Sequence, residues 1–157
     1  MNWSGIAFAV GLCVIAAGLE GVLGGRDLPK WLQSLNRPRL YAPLFVWVLA
    51  AGLTYLLQGI IAYRLVAYAS TLFDVAALVV LLAVMAANIA YNVVLDRTRD
   101  PHWAYRGLLW FLPLLIVLQV LLHIADPFSA WLSLIYLAWV VCYDLPIMRA
   151  LWKQNSS

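Results

Sequence analysis

Charge is what this chain has least of. Of 157 residues, 10 are Lys or Arg and 7 are Asp or Glu, while 66% are hydrophobic. A soluble domain of this length could not cover so much apolar side chain with so few charges, and the mean hydropathy of +0.90 makes lipid the solvent. Cysteine is almost absent. Cys13 and Cys142 both fall in apolar runs, so no disulfide framework is readable, and no cluster has metal-ligand spacing. Paired carboxylates, a Ser/His/Asp arrangement and a glycine-rich phosphate loop are all missing. No catalytic residue, metal site or required cofactor is therefore assigned, and the expectation is a protein that is not an enzyme. A nucleic-acid partner is excluded, because no aromatic-studded basic groove could form away from the bilayer surface.

What is present is a series of apolar runs. Each spanning helix needs roughly 20 apolar residues, and the polar and proline-rich breaks leave room for five, at about 4–24, 43–64, 72–95, 106–125 and 128–152. The fold class expected is all-α: one five-helix transmembrane domain over 1–157, with a short helical lid in its first loop. The start MNWSGIAFAVGLCVIAAG lacks the basic n-region of a signal peptide and is too long for one, so it reads as a retained span. With five spans, the N-terminus, the 65–71 loop and the 126–127 turn share one side, which holds Arg64. Arg26, Lys30, Arg37, Arg39, Arg97, Arg99, Arg106, Arg149 and Lys153 all lie on the other. The positive-inside rule then places the N-terminus outside and the C-terminus in the cytoplasm. A bacterial inner membrane is the expected location.

The first span carries small residues every fourth position, Gly5, Ala9, Cys13, Ala17, Gly21 and Gly25, which reads as a packing seam. Glu20 is costly there unless it finds a partner; Arg26 or Lys30 is the expected ion-pair partner. In the 25–42 connection, Pro29 suits a helix start, and Trp31, Leu32 and Leu35 fall on one face. This short piece either anchors in headgroups or caps a cavity. The third span has a second small-residue seam, Ala76, Ala83, Ala87 and Ala90. Ala83, Ala87 and Ala90 are the expected dimer contact. Asn88 and Asn92 lie one turn apart and must point into the bundle, as glue between helices or as ligand contacts. His102 reads as a solvated loop residue within DRTRDPHWAY. Gln119 and His123 share a face, but one histidine near a span end is weak evidence for a haem ligand. Asp144, Pro146 and Arg149 look like a local polar kink.

The remaining signal is aromatic, with 8 tryptophans and 8 tyrosines. Trp3, Trp103, Trp131 and Trp152 lie near span ends, as interfacial belts do. Trp47, Tyr55, Tyr91, Trp110, Tyr136 and Trp139 fall deeper. They line an interhelical cavity for a flat apolar ligand, or they are ordinary bundle packing. Val141, Tyr143 and Arg149 match a loose sterol pattern, and the reversed pattern fits Arg39-Leu40-Tyr41 before Leu44.

Trp31, Leu35, Arg37-Pro38 and Pro43, then Tyr55, resemble the W-x-x-x-L-x-K-P-x-W-x-P-P lid and aromatic helix of the tryptophan-rich sensory protein family. This family is also called translocator protein, peripheral-type benzodiazepine receptor or TspO/MBR. Asn88 with an aromatic three residues on, and Tyr136-Leu137-Ala138-Trp139, are similar to two further family segments, so the likeness covers nearly the whole chain. The resemblance implies a homodimer that binds porphyrin or haem, sterols and benzodiazepine-site compounds in a pocket under the first loop. The ligand-lining set is then Trp31, Leu35, Pro38, Leu40, Trp47, Tyr55, Asn88, Tyr91, Trp110, Tyr136, Trp139 and Cys142. Some members are reported to degrade porphyrin in light through tryptophans. Here Leu40, Ala51 and Tyr91 stand where tryptophans are expected, Ala42 and Ile135 stand where prolines are, and Leu145-Pro146 displaces an L-N pair. These departures argue against the photochemistry and leave an apolar cavity of altered shape. Three readings result, ranked in this order: a hydrophobe-binding sensor or regulator, a divergent membrane interaction protein with another ligand or none, and a porphyrin-degrading enzyme.

Overall fold

The computed structural model describes residues 2–23 and 28–156, and every regular element among them is helical. Five helices are long and apolar enough to cross a membrane. The elements are α1 (Trp3–Leu23), α2 (Leu28–Ser34), α3 (Leu44–Ala67), α4 (Leu72–Thr98), α5 (Pro101–Ala125), α6 (Pro127–Trp139), a π-helical turn (Val140–Asp144) and α7 (Leu145–Gln154). Pro127–Gln154 together form the fifth span. Large apolar side chains such as Val22, Leu72 and Trp110 are 80–86% exposed, a surface that only lipid can cover. The core is a column of Leu81, Leu115, Leu118 and Leu122 closed by Ile61 and Leu151.

Local chemistry sets the helix ends. Thr71 and Asp74 form a reciprocal capping box at the start of α4. The α4–α5 link is far shorter than the polar loop expected from the sequence. Arg99 takes a left-handed conformation (φ 47°), and Asp100 caps α5 by accepting the His102 N–H at 2.9 Å. Pro101 at the first helical position adds its fixed φ. His102 is therefore helical rather than a loop residue. Its ring stacks on Trp152 at 4.6 Å, and Tyr105 stacks on Trp152 as well.

The α1 seam differs from the expectation. Gly5, Ala9 and Ala16 are buried and Cys13 is half-buried, whereas Ala17 and Gly21 are exposed. A strict four-residue step drifts about 40° per step around a helix of 3.6 residues per turn, so the contact line takes the three-residue step to Ala16. Gly25 and Arg26 lie outside the described residues. The helix approach is close enough that a Cβ on Gly59 of α3 would sit 2.6 Å from Cys13 Sγ.

At the end of the bundle that carries the 68–71 connection, Arg64 forms a two-pronged ion pair with Asp126, at 2.6 and 2.9 Å. Ser129 Oγ donates to the same carboxylate at 2.5 Å. In this turn between spans, the Arg64 hydrogen bonds hold the Asp126 carboxyl down at about 2. A depressed carboxyl contributes stability above its unfolded value near 4 and loses it as pH falls through the folded value. Wild-type protein is thus expected to lose about 1 kcal/mol between pH 4 and 2 through this pair, a figure reduced for solvent screening. Asp126→Asn should lack that acid limb in thermal unfolding followed by circular dichroism; an unchanged limb would refute the assignment.

The fifth span is not one continuous α-helix. Pro146 has no N–H to give the Cys142 carbonyl, and its ring crowds that carbonyl. The ladder slips by one residue, so that the Leu145 N–H bonds the Val140 carbonyl five residues back. The expected polar kink is this π-turn, of a kind frequent at functional sites.

Candidate functional site

Residues 36–43 cross the end of the bundle that carries the C-terminus, and the chain straps them down at two points. Asn155 accepts from the Asn36 N–H at 3.0 Å and donates to the Asn36 carbonyl at 3.0 Å. Tyr143, in the π-turn, donates its hydroxyl to the Leu40 carbonyl at 3.0 Å and accepts from the Ala42 N–H at 2.8 Å. Between these straps the Tyr41 N–H closes a turn onto the Pro38 carbonyl at 2.9 Å. Upstream, the expected amphipathic face is present: Trp31 and Leu32 of α2, with Leu35 just after it, pack on the core.

Beneath this segment lies an aromatic cluster. The Trp47 ring centroid is 5.7 Å from Tyr41, 5.6 Å from Tyr143 and 6.3 Å from Trp139, the last edge-on. Trp139 and Tyr143 are 4.6 Å apart. Trp47 is oriented by its indole N–H, which donates to the Ala42 carbonyl at 3.1 Å. Edge-on and tilted rings at these separations pack favourably against one another. Asp144 follows Tyr143 directly; its Oδ1 is buried and has no hydrogen-bond partner. Tyr143→Phe removes both bonds of the second strap. It is expected to cost about 1 kcal/mol and to speed proteolysis within 36–43. Unchanged cleavage kinetics would show that Tyr143 does not hold the segment.

Deeper in the bundle is a second polar group. Glu20 accepts from the Tyr55 hydroxyl and from Asn92 Nδ2, the latter at 2.5 Å. Asn88 sits beside the same Tyr55 hydroxyl. These bonds join α1, α3 and α4, so the amides act as helix glue. Among the described residues the partners of Glu20 are these neutral donors, and the expected partner Arg26 lies outside them. Gln119 Nε2 donates to the Ala130 carbonyl at 3.0 Å, while His123 is exposed. Among the described residues no group of His, Cys, Asp or Glu could hold a metal.

The sequence-derived lining residues therefore divide. Trp47 and Trp139 meet beneath the loop, with Trp31, Leu35 and Pro38 half-buried in the segment above. Tyr136 packs its ring on Phe111 at 6.3 Å, and Tyr55 and Asn88 belong to the Glu20 group. Three placements are corrected. Leu40 is 79% exposed, because the 38–41 turn that delivers its carbonyl to Tyr143 points its side chain away. Trp110 is 80% exposed and faces lipid. Cys142 is exposed as well, on the outer side of the π-turn.

Tyr91 and Trp110 instead line an outward groove of about 260 Å³ between α4 and α5, with Ala87, Ala90, Trp103 and Gly107. Tyr91 bridges the two helices by donating to the Ala104 carbonyl at 3.0 Å. Its ring lies so near that a Cβ on Gly107 would be 2.6 Å away. The residues of the sterol pattern do not share a surface, since Val141 is exposed to lipid while the Tyr143 hydroxyl serves the loop.

Sequence reasoning gave Tyr143 and Tyr41 only a place in the loose sterol patterns and gave Asn155 no role. Pro146 was the available signal for the first, because it forces the π-turn that swings Tyr143 under the loop. No signal marked Asn155. Comparison with curated proteins gives no match. The TspO/MBR family model matches residues 9–145, most of the chain and all the elements that build the strapped loop except Asn155, and the chain belongs to the TspO/MBR family.

Proposed function

We propose that this integral membrane protein is a receptor or sensor that binds a flat hydrophobic ligand, of tetrapyrrole or sterol-like class, in the aromatic site beneath residues 36–43. The observation that carries this reading is the Trp47–Trp139–Tyr143 cluster, with Tyr143 bonded to two backbone groups of the overlying loop. Such an arrangement couples occupancy of the site to the position of the loop, which is what a sensor needs. Family membership supports a membrane protein of ligand-binding or sensory type in general. Titration with protoporphyrin, followed by tryptophan quenching and the porphyrin absorption band, tests the reading. Saturable quenching that weakens in Trp139→Phe is expected. No saturation up to roughly the micromolar range, where about 8 kcal/mol of binding would show, leaves the interaction-protein reading instead. Porphyrin loss in light that tracks protein concentration would favour the enzyme.

Self-association as a homodimer belongs to the same proposal. Ala83 and Ala90 are exposed on α4, in one stripe with Val75, Val79 and Ala86, whereas Ala87 of the expected seam is half-buried against the core; small residues let helices approach closely in lipid. Ala83→Leu is expected to shift a detergent-solubilised dimer toward monomer; an unchanged oligomer would exclude this stripe as the contact. The basic residues of that end support a cytoplasmic side for the strapped loop, and a bacterial inner membrane is part of the same proposal.

A further inference from the structure

The one feature of the aromatic site that a purely apolar ligand leaves unexplained is Asp144. Its Oδ1 is buried and unpartnered, although it sits in a spanning segment, where a lone carboxyl is costly unless something pairs with it. Its surroundings are aromatic. The Trp139 side chain lies beside the carboxyl. Tyr143, adjacent in sequence, joins Trp47 and Trp139 in the ring cluster. Asp144 directly follows Tyr143, whose hydroxyl bonds the Leu40 carbonyl and the Ala42 N–H, so the carboxyl stands near the level of the loop. Position follows from the π-turn: Asp144 ends it, two residues before the proline that causes it.

A buried carboxylate oxygen with a free lone pair, set among tryptophan and tyrosine rings, has the recognition chemistry of an organic ammonium. The carboxylate supplies a charge-assisted hydrogen bond and the rings supply cation–π attraction. We propose that Asp144 makes this site selective for flat apolar ligands that carry a protonated nitrogen, over neutral ligands of the same shape. The inference rests on the ligand-binding reading above and adds the polar half of the ligand's description.

The test compares two flat tricyclic fluorophores, 9-aminoacridine, protonated at neutral pH, and acridine, neutral there. Both are titrated into the full chain in a non-ionic detergent. Wild-type protein is expected to bind the aminoacridine at least about tenfold tighter, the effect of one charge-assisted contact. In Asp144→Asn the preference should fall below about twofold, with acridine affinity unchanged, so that acridine serves as the folding control. If Asp144→Asn loses both ligands, Asp144→Thr replaces it, and the wild-type ratio alone remains decisive. A wild-type ratio near one, or a preference that survives in the variants, overturns the inference while porphyrin binding leaves the broader reading standing. Saturation by neither acridine nor protoporphyrin overturns both.

Discussion

Trp47→Ala is expected to lower ligand affinity more than tenfold and stability by about 2–3 kcal/mol. The stability figure lies below the roughly 3–5 kcal/mol of a fully buried tryptophan, because Trp47 is only half-buried. In lipid the loss does not come from exposing apolar surface, since the tails are as apolar as the side chain. It comes from three ring contacts, each worth about 0.5–1.5 kcal/mol, and from the bond to the Ala42 carbonyl. Trp110→Ala is the matched control. With 80% of its surface already facing outward, its loss should change stability by no more than about 0.5 kcal/mol and leave affinity untouched. Thermal unfolding and porphyrin titration of the two variants side by side check both numbers. Equal effects would remove the distinction between the inner cluster and the outer groove.

The second large effect concerns Glu20. Removing one of its donors, by Tyr55→Phe or Asn92→Leu, should cost about 0.6–1.7 kcal/mol, the range for hydrogen bonds between membrane helices. Removing both leaves a carboxyl within the bundle without the partners it has now. The double variant should then lose about 3 kcal/mol, toward the upper end of the summed single effects. Adding Glu20→Leu to that double variant is expected to recover part of the loss, because an apolar side chain needs no partner. Unfolding in a graded denaturing detergent measures the series. A triple variant less stable than the double would mean that Glu20 holds the helices by some other contact.

The fold was legible because its causes are local. Runs of apolar residues, the Asp126-Pro127 reversal and the Trp31/Leu32/Leu35 face each announce themselves within a turn or two of helix. The site was legible only in part. Trp47 and Trp139 were found from their depth, but depth along a span does not fix azimuth, and Trp110, at equal depth, faces lipid. Asn92 was rightly read as pointing inward, yet its partner lies 72 residues away in α1, beyond any local pattern. The loop straps were hidden for the same reason, with Tyr143 and Asn155 reaching back 101 and 119 residues. Asp144 was visible as a kink residue beside Pro146; that one of its oxygens would be buried without a partner required the packed bundle.

Photoaffinity labelling tests most directly whether the ligand site is the aromatic cluster beneath the loop. A diazirine-bearing porphyrin is irradiated with the detergent-solubilised protein, and the labelled peptides are mapped by mass spectrometry, with unmodified protoporphyrin as competitor. Competed label is expected on the peptides that contain Tyr41–Trp47 and Tyr136–Asp144, and it should be lost in Trp47→Ala. Competed label confined to Ala87–Leu95 and Trp103–Leu114 would instead put the ligand in the outer groove between α4 and α5, and would contradict the site assigned to this protein.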